Sequence, residues 1–311
     1  MSKIYLAPVP PYNFELSARI FSRGDPAIRI FDSGVYRQAL DIQGNPVLIE
    51  VRSTGTLDNP GLEITPTQGI EGSMVEDVVI GDLVSSMFNI YDDLTPFYHA
   101  VHNDPVMNKL TLQFCGLKSP TTPTLFEALV DSIIEQQISL KVAQSLQARL
   151  IKKTGKQLGI GTDIYYCYPS PETLAGSPDT LFRGCGLTTR KGEYIRDLSE
   201  SVVSGDLDLD KFRRYDDTSR IIREMMEIRG IGKWTAELTI IRGIHKLDAF
   251  PADDVGLQRI LSRFYRNGKK VTSEEARVIA GEWGAWQGLA AFYLDLAEYL
   301  GLTPRLRTNI F

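Results

Sequence analysis

Met226–Leu261, MEIRGIGKWTAELTIIRGIHKLDAFPADDVGLQRIL, is the stretch that decides the fold. Gly230 and Gly232 stand two apart, which allows a tight turn with positive φ. Ile231 between them is apolar and can plug into the helices on either side. A helix then starts at Lys233, and its first N–H groups have no intrahelical partner, so they point at the turn. Such a helix start holds a phosphate without reading bases. By themselves the two glycines fit an ordinary helix–turn–helix corner with a Gly C-cap equally well. Further on, Phe250-Pro251-Ala252-Asp253-Asp254-Val255-Gly256 sets two carboxylates just before another apolar run of helical period.

Outward from this stretch the pattern is helical back to Leu94. Leu125–Gly155, LFEALVDSIIEQQISLKVAQSLQARLIKKTG, keeps a 3.6-residue period long enough for two helices. Ser170-Pro171-Glu172 and Asp210-Lys211 open short helices, and Thr272-Ser273-Glu274-Glu275 has the form of a capped start. Residues 14–80 differ. FELSARIFS, AIRIFDSGVYRQALDI and PVLIEVRST alternate apolar residues, and Asp25-Pro26, Gly44-Asn45-Pro46 and Asp58-Asn59-Pro60-Gly61 punctuate them as turns. The expected fold class is α+β. An N-terminal antiparallel β-sheet domain over residues 1–105 has its first helix near Gly81–Ile90. A helical body follows over 106–311, with its hairpin near 226–240.

The 311 residues exceed what one domain of about 150 residues needs. With 43% hydrophobic and 23% charged residues the chain is an ordinary globular protein, neither disordered nor collagen-like. No apolar run is long enough to span a bilayer, and the N-terminus lacks the apolar core of a secretory signal. Cys115, Cys167 and Cys185 form neither a disulfide framework nor a metal ligand set, which fits a reducing intracellular setting. His99, His102 and His245 have no metal-binding spacing either. The net charge of −5 is unevenly spread: residues 1–105 carry 6 Lys+Arg against 14 Asp+Glu. Two stretches of the remainder are basic and free of acids: Lys141–Lys156, and Gly256–Lys270 with Arg259, Arg263, Arg266, Lys269 and Lys270. Each could be a solvated helix face or a phosphate-binding one.

The hairpin and the aspartate loop together resemble the helix-hairpin-helix (HhH-GPD) DNA glycosylase superfamily, and within it the DNA-3-methyladenine glycosylase II type. Four further segments carry the resemblance in order: Leu94–Lys118, Phe126-Glu127-Ala128-Leu129 through Gln136-Gln137-Ile138-Ser139, Gly186–Lys191, and Tyr194-Ile195. The resemblance implies an all-α, two-lobed body. It implies a monofunctional DNA glycosylase that hydrolyses the N-glycosidic bond of damaged, chiefly alkylated, purines in double-stranded DNA during base excision repair. An 8-oxoguanine glycosylase of the same fold, or a non-catalytic helix-hairpin-helix DNA-binding module, are the rival readings. Localisation would be cytoplasmic in a prokaryote and nuclear in a eukaryote, with no membrane partner and a monomeric state.

Site residues follow from the same resemblance. Asp254 is the expected catalytic carboxylate, since cleavage builds positive charge on the deoxyribose that an anion stabilises. Trp234 stands where bifunctional members carry a nucleophilic lysine, so no lyase activity is expected. Its indole would form a base-pocket wall, with packing in the core as the alternative. Phe292 and Asp295 are further pocket candidates. Gln136, Gln137, Ser139, Gly230, Gly232, Lys233 and Thr235 are the DNA-binding candidates, with Gln137 as the wedge that fills the gap of an everted base. For Gln136 and Gln137, hydrogen bonding between helices is the plainer reading of the residues. No cofactor is expected. A monovalent cation, Na or K, could sit on the main-chain carbonyls of Met226, Ile228 and Ile231.

Overall fold

The computed structural model describes residues 2–68 and 75–302. In chain order it runs β1 (Ile4–Leu6), α1 (Phe14–Phe21), β2 (Arg29–Asp32), β3 (Val35–Ile42), β4 (Asn45–Ser53), β5 (Leu62–Gln68) and α2 (Asp77–Phe88). Next come α3 (Thr95–Val101), α4 (Pro105–Gln113), α5 (Leu125–Glu135), α6 (Leu140–Thr154), β6 (Gln157–Ile160) and β7 (Asp163–Tyr166). The remainder is helical: α7 (Pro171–Ala175), α8 (Asp179–Gly184), α9 (Thr189–Ser204), α10 (Thr218–Met225), α11 (Lys233–Ile244), α12 (Val255–Tyr265), α13 (Ser273–Gly281) and α14 (Gln287–Tyr299). No described helix is long and apolar enough to cross a membrane.

The N-terminal sheet is antiparallel throughout, in the order β1-β5-β4-β3-β2. Its two tightest hairpins close through Ser33-Gly34 and Gln43-Gly44, all four residues with positive φ, which matches the twist of the strands they join. One face packs Tyr36, Leu40, Val47, Ile49 and Val51 against Phe14 and Ala18 of α1 and Ile80, Val84 and Phe88 of α2. On the other face Ala39 and Leu48 meet Leu158 of β6, within the β6–β7 hairpin, and Cys167 just after it. Both faces of β3 and β4 are therefore covered, so neither strand alternates cleanly.

One segment expected as a strand, FELSARIF, is helix α1. Its apolar residues fit either period, but Asn13 accepts from Leu16 N at 3.0 Å and caps a helix. The buried residues Phe14, Ser17 and Ala18 then fall at helical spacing.

The helical body has two cores. One gathers α5 to α11, from Leu125, Leu129 and Ile133 to Ile231, Ala236 and Ile240. The other joins α3 and α4 to α12, α13 and α14, with Phe97, Phe114, Leu261, Trp283 and Tyr293 at its centre. The segment from His245 to Asp254 crosses from the first lobe to the second, so the aspartate loop lies where the lobes meet.

Candidate active site

The hairpin turn is built from short main-chain bonds. Ile228 N donates to Met225 O at 3.1 Å and Ile231 N to Ile228 O at 3.0 Å. Gly230 has φ +88°, and a Cβ there would meet the Tyr194 ring at 2.4 Å. Gly232 is different from what the pair of glycines suggests: its φ is −93°, so the positive φ falls on Gly230 alone. A Cβ on Gly232 would find nothing within 4 Å. Ile231 is 5% exposed and plugs into the first core, as its place between the glycines suggests. Lys233 is exposed, and α11 begins with no side-chain cap, leaving its first N–H groups open.

Asp254 is the N-cap of α12 and half-buried. Its Oδ1 accepts from Leu257 N at 2.8 Å and its Oδ2 from the Trp234 indole Nε1 at 2.8 Å. Trp234 is half-buried and belongs to neither core; its polar edge is held by the carboxylate. Sequence reasoning named both residues but not the bond between them. The loop behind Asp254 is braced as well: Gln258 Nε2 donates to Ala252 O at 2.7 Å and to Ser273 Oγ at 3.1 Å. The adjacent Asp253 is exposed.

Asp295, on α14, has a side chain 56% exposed, with Arg23 Nη1 3.7 Å from its Oδ2. Surrounding protein atoms nevertheless push its carboxyl upward; Arg23 and Arg242 oppose this, and Asp254 and Glu135 add to it. Asp295 is thus open to solvent yet partly desolvated, and lies within electrostatic range of Asp254. Arg242 Nη1 donates to both oxygens of Glu135, at 2.8 and 2.7 Å. Phe292 is half-buried against the second core. A separate small hollow of about 40 Å³ is walled by Arg23, Arg29, Asp131, Gln144 and Gln147 but not by Asp254.

The loop between α5 and α6 divides its residues cleanly. Gln136 turns inward, donating to Gly230 O at 2.9 Å and to Thr235 Oγ1 at 3.1 Å, which ties this loop to the hairpin. Thr235 is 3% exposed, so its side chain is inside that tie. Gln137 is exposed and holds φ +57°, a left-handed conformation unusual for a side-chain-bearing residue. Ser139 caps α6 through Val142 N. Lys191 was missed: its Nζ donates to Ile134 O and Gln136 O, both at 2.7 Å, closing the end of α5 just before Gln137. Its partners lie far away in sequence, so no local pattern announces it. Among the described residues no group of His, Cys, Asp and Glu could hold a metal ion.

The family model described as HhH-GPD superfamily base excision DNA repair protein matches residues 130–285. The chain is 32% identical over 213 residues to the DNA-3-methyladenine glycosylase of Bacillus subtilis (strain 168), covering 68% of this chain and 69% of that protein. It is 25% identical over 305 residues to the putative DNA-3-methyladenine glycosylase YfjP of the same organism, covering 94% and 98%. The solved structure of a 3-methyladenine DNA-glycosylase from Archaeoglobus fulgidus superposes with a TM-score of 0.83 at 25% identity, over 97% of this chain and 99% of that one. The chain belongs to the HhH-GPD superfamily of base excision DNA repair proteins.

Proposed function

We propose that this protein is a monofunctional DNA glycosylase that hydrolyses the N-glycosidic bond of damaged, chiefly alkylated, purines in double-stranded DNA, acting as a monomer. The observation that carries the reading is Asp254, a half-buried carboxylate at a helix start, aimed by two protein donors into the junction of the lobes. As the glycosidic C–N bond breaks, its electron pair leaves with the base and positive charge develops on the sugar. The carboxylate stabilises that charge and orients the water that adds to the sugar carbon and loses a proton. The purine leaves and an abasic site remains.

The other residues fit this chemistry. The open N–H groups at the start of α11 suit a phosphate. The bare Gly232, which no protein atom crowds, suits close approach of a DNA backbone. Gln137, exposed on a loop clamped by Lys191 and Gln136, suits the wedge that replaces an everted base. Trp234, with its N–H edge held by Asp254, and Phe292 are the aromatic walls, and an indole face attracts a cationic alkylpurine. A monovalent cation on the carbonyls of Met226, Ile228 and Ile231 is compatible with the turn, because Ile228 O takes one N–H and keeps a second lone pair. It would hold a phosphate oxygen against the hairpin.

The test uses duplexes carrying one defined lesion each. Asp254→Asn keeps an oxygen for Leu257 N, hence the cap, and removes the charge. Excision should fall by at least about a hundredfold while lesion binding persists. An unaltered rate overturns the assignment of Asp254. Release of 8-oxoguanine without alkylpurines would favour the oxidised-base reading. Borohydride trapping of a covalent adduct would contradict a monofunctional reaction, because Trp234 cannot form a Schiff base.

A further inference from the structure

Arg277, on α13, reaches three separate parts of the site. Its Nη2 lies 3.0 Å from Glu237 Oε1 on α11, and its Nη1 donates to Phe250 O at 3.2 Å. Its Nη2 also lies 3.9 Å from Asp253 Oδ2. Glu237 is 2% exposed and sits one turn beyond Trp234, the residue that bonds Asp254 directly. The hairpin helix therefore grips the aspartate loop twice: through Trp234 at the carboxylate itself, and through Glu237 and Arg277 at the carbonyl where the loop begins. Gln258 and Ser273 fill the interval at Ala252 O. Asp254 N in turn donates to Pro251 O at 2.9 Å, so the fixed loop sets the direction in which the carboxylate leaves the main chain.

We infer that Arg277 is a positioning residue for Asp254, coupling the DNA-binding hairpin helix to the loop that carries the reacting carboxylate. The inference rests on the glycosylase reading above. It explains why a fully enclosed carboxylate is kept on α11. A buried charge is costly unless paired, and an Arg that meets it while reaching a main-chain carbonyl gives a rigid, directional strut. Burial pushes the Glu237 carboxyl upward while Arg277 opposes it, so the pair is mutually dependent. A strut of this kind affects the chemical step more than DNA attachment, because the hairpin's phosphate-facing N–H groups do not depend on it.

The experiment compares Arg277→Met, Arg277→Lys and the double variant Arg277→Met with Glu237→Gln, the last removing the stranded carboxylate so that the fold is retained. Single-turnover excision of an alkylpurine and binding to a duplex with an abasic-site analogue are measured at equal concentrations of folded protein. Arg277→Met and the double variant should lose about ten- to a hundredfold in rate. Affinity for the abasic duplex should stay within about threefold, and Arg277→Lys should recover part of the rate. A double variant as fast as wild type, or one whose rate and affinity fall together, overturns the inference. Amide exchange over residues 250–257 gives a readout independent of catalysis: it should quicken in the double variant, and unchanged protection also overturns the strut. If wild-type protein excises nothing, the glycosylase reading fails separately, and the exchange result still decides whether Arg277 holds the loop.

Discussion

The two basic stretches look alike in sequence and end up differently partnered. In the first, Lys152 pairs with Asp25 at 2.6 Å, Lys153 donates to Gly184 O, and Arg149 donates to Cys185 O. Lys156 pairs with Asp41 at 2.8 Å and reaches Gly44 O. In the second, Arg263 pairs with Glu298, but Arg259, Arg266, Lys269 and Lys270 are exposed with no side-chain partner among the described residues. The acid-rich N-terminal part thus meets part of the base-rich remainder within the molecule. Asp25 and Asp41 anchor a seam between sheet and α6, and buried Arg29 meets Glu127 of α5 at 3.1 Å beside it. A run of lysines announces charge, but only its neighbours in space decide whether the charge is free for a polyanion.

The largest effect tests the free stretch. Replacing Arg259, Lys269 and Lys270 with Ala should weaken binding to undamaged duplex DNA by at least about tenfold at moderate salt. It should also lower the slope of log affinity against log salt by about 0.9 for each phosphate contact removed. Thermal stability should barely move, since these exposed side chains have no hydrogen-bond or ion-pair partner among the described residues. Fluorescence-anisotropy titrations at several salt concentrations measure both quantities, and an unchanged slope would show that this face does not meet DNA.

The second effect tests the seam. Glu127 is buried and Asp131 half-buried near Arg29; burial raises Glu127 to about 8 and Asp131 to about 6, each opposed by Arg29. Raised in this way, the pair keeps a proton in the folded protein at a pH where a solvated carboxyl has lost it. The unfolded chain releases that proton near the ordinary carboxylate range. The folded state therefore binds more protons across the interval, and stability should fall as pH rises between about 5 and 8. The expected slope is up to about 1.4 kcal/mol per pH unit, read from urea midpoints. Glu127→Gln should flatten it, because the more strongly raised of the two carboxyls is then gone. A steep slope retained in that variant would place the proton elsewhere.

Features carried by neighbouring residues were legible in the sequence; those carried by distant partners were not. The hairpin could be read because its glycines, plug and helix start are contiguous, and Asp254 because the family register sets it four and five residues before Gln258 and Arg259; that Asp254 rather than Asp253 is also the N-cap came from the structure. The strand reading of FELSARIF failed because alternation and helical period overlap over eight residues, and Asn13 settles the matter through one bond. The β6–β7 hairpin escaped notice because its stability comes from the back of the sheet rather than from its own sequence. The Trp234–Asp254 bond and the clamps made by Lys191 and Arg277 join segments far apart in sequence, where no periodicity reaches.

The smallest effect separates seam from DNA face most directly. Lys152→Met with Lys156→Met removes two pairs, Lys152–Asp25 and Lys156–Asp41, whose lysines are 39% and 47% exposed. Partly exposed ion pairs contribute between nothing and about 1 kcal/mol each, so the double variant should lose about 1 kcal/mol in total. Part of that loss should vanish in high salt, which screens the pairs. Affinity for duplex DNA should stay within about twofold, with the salt slope unchanged, because these ammonium groups are already occupied by carboxylates of the sheet. If DNA binding drops instead while stability holds, the lysines leave their partners for phosphate, and the distinction between an internal seam and an external face dissolves.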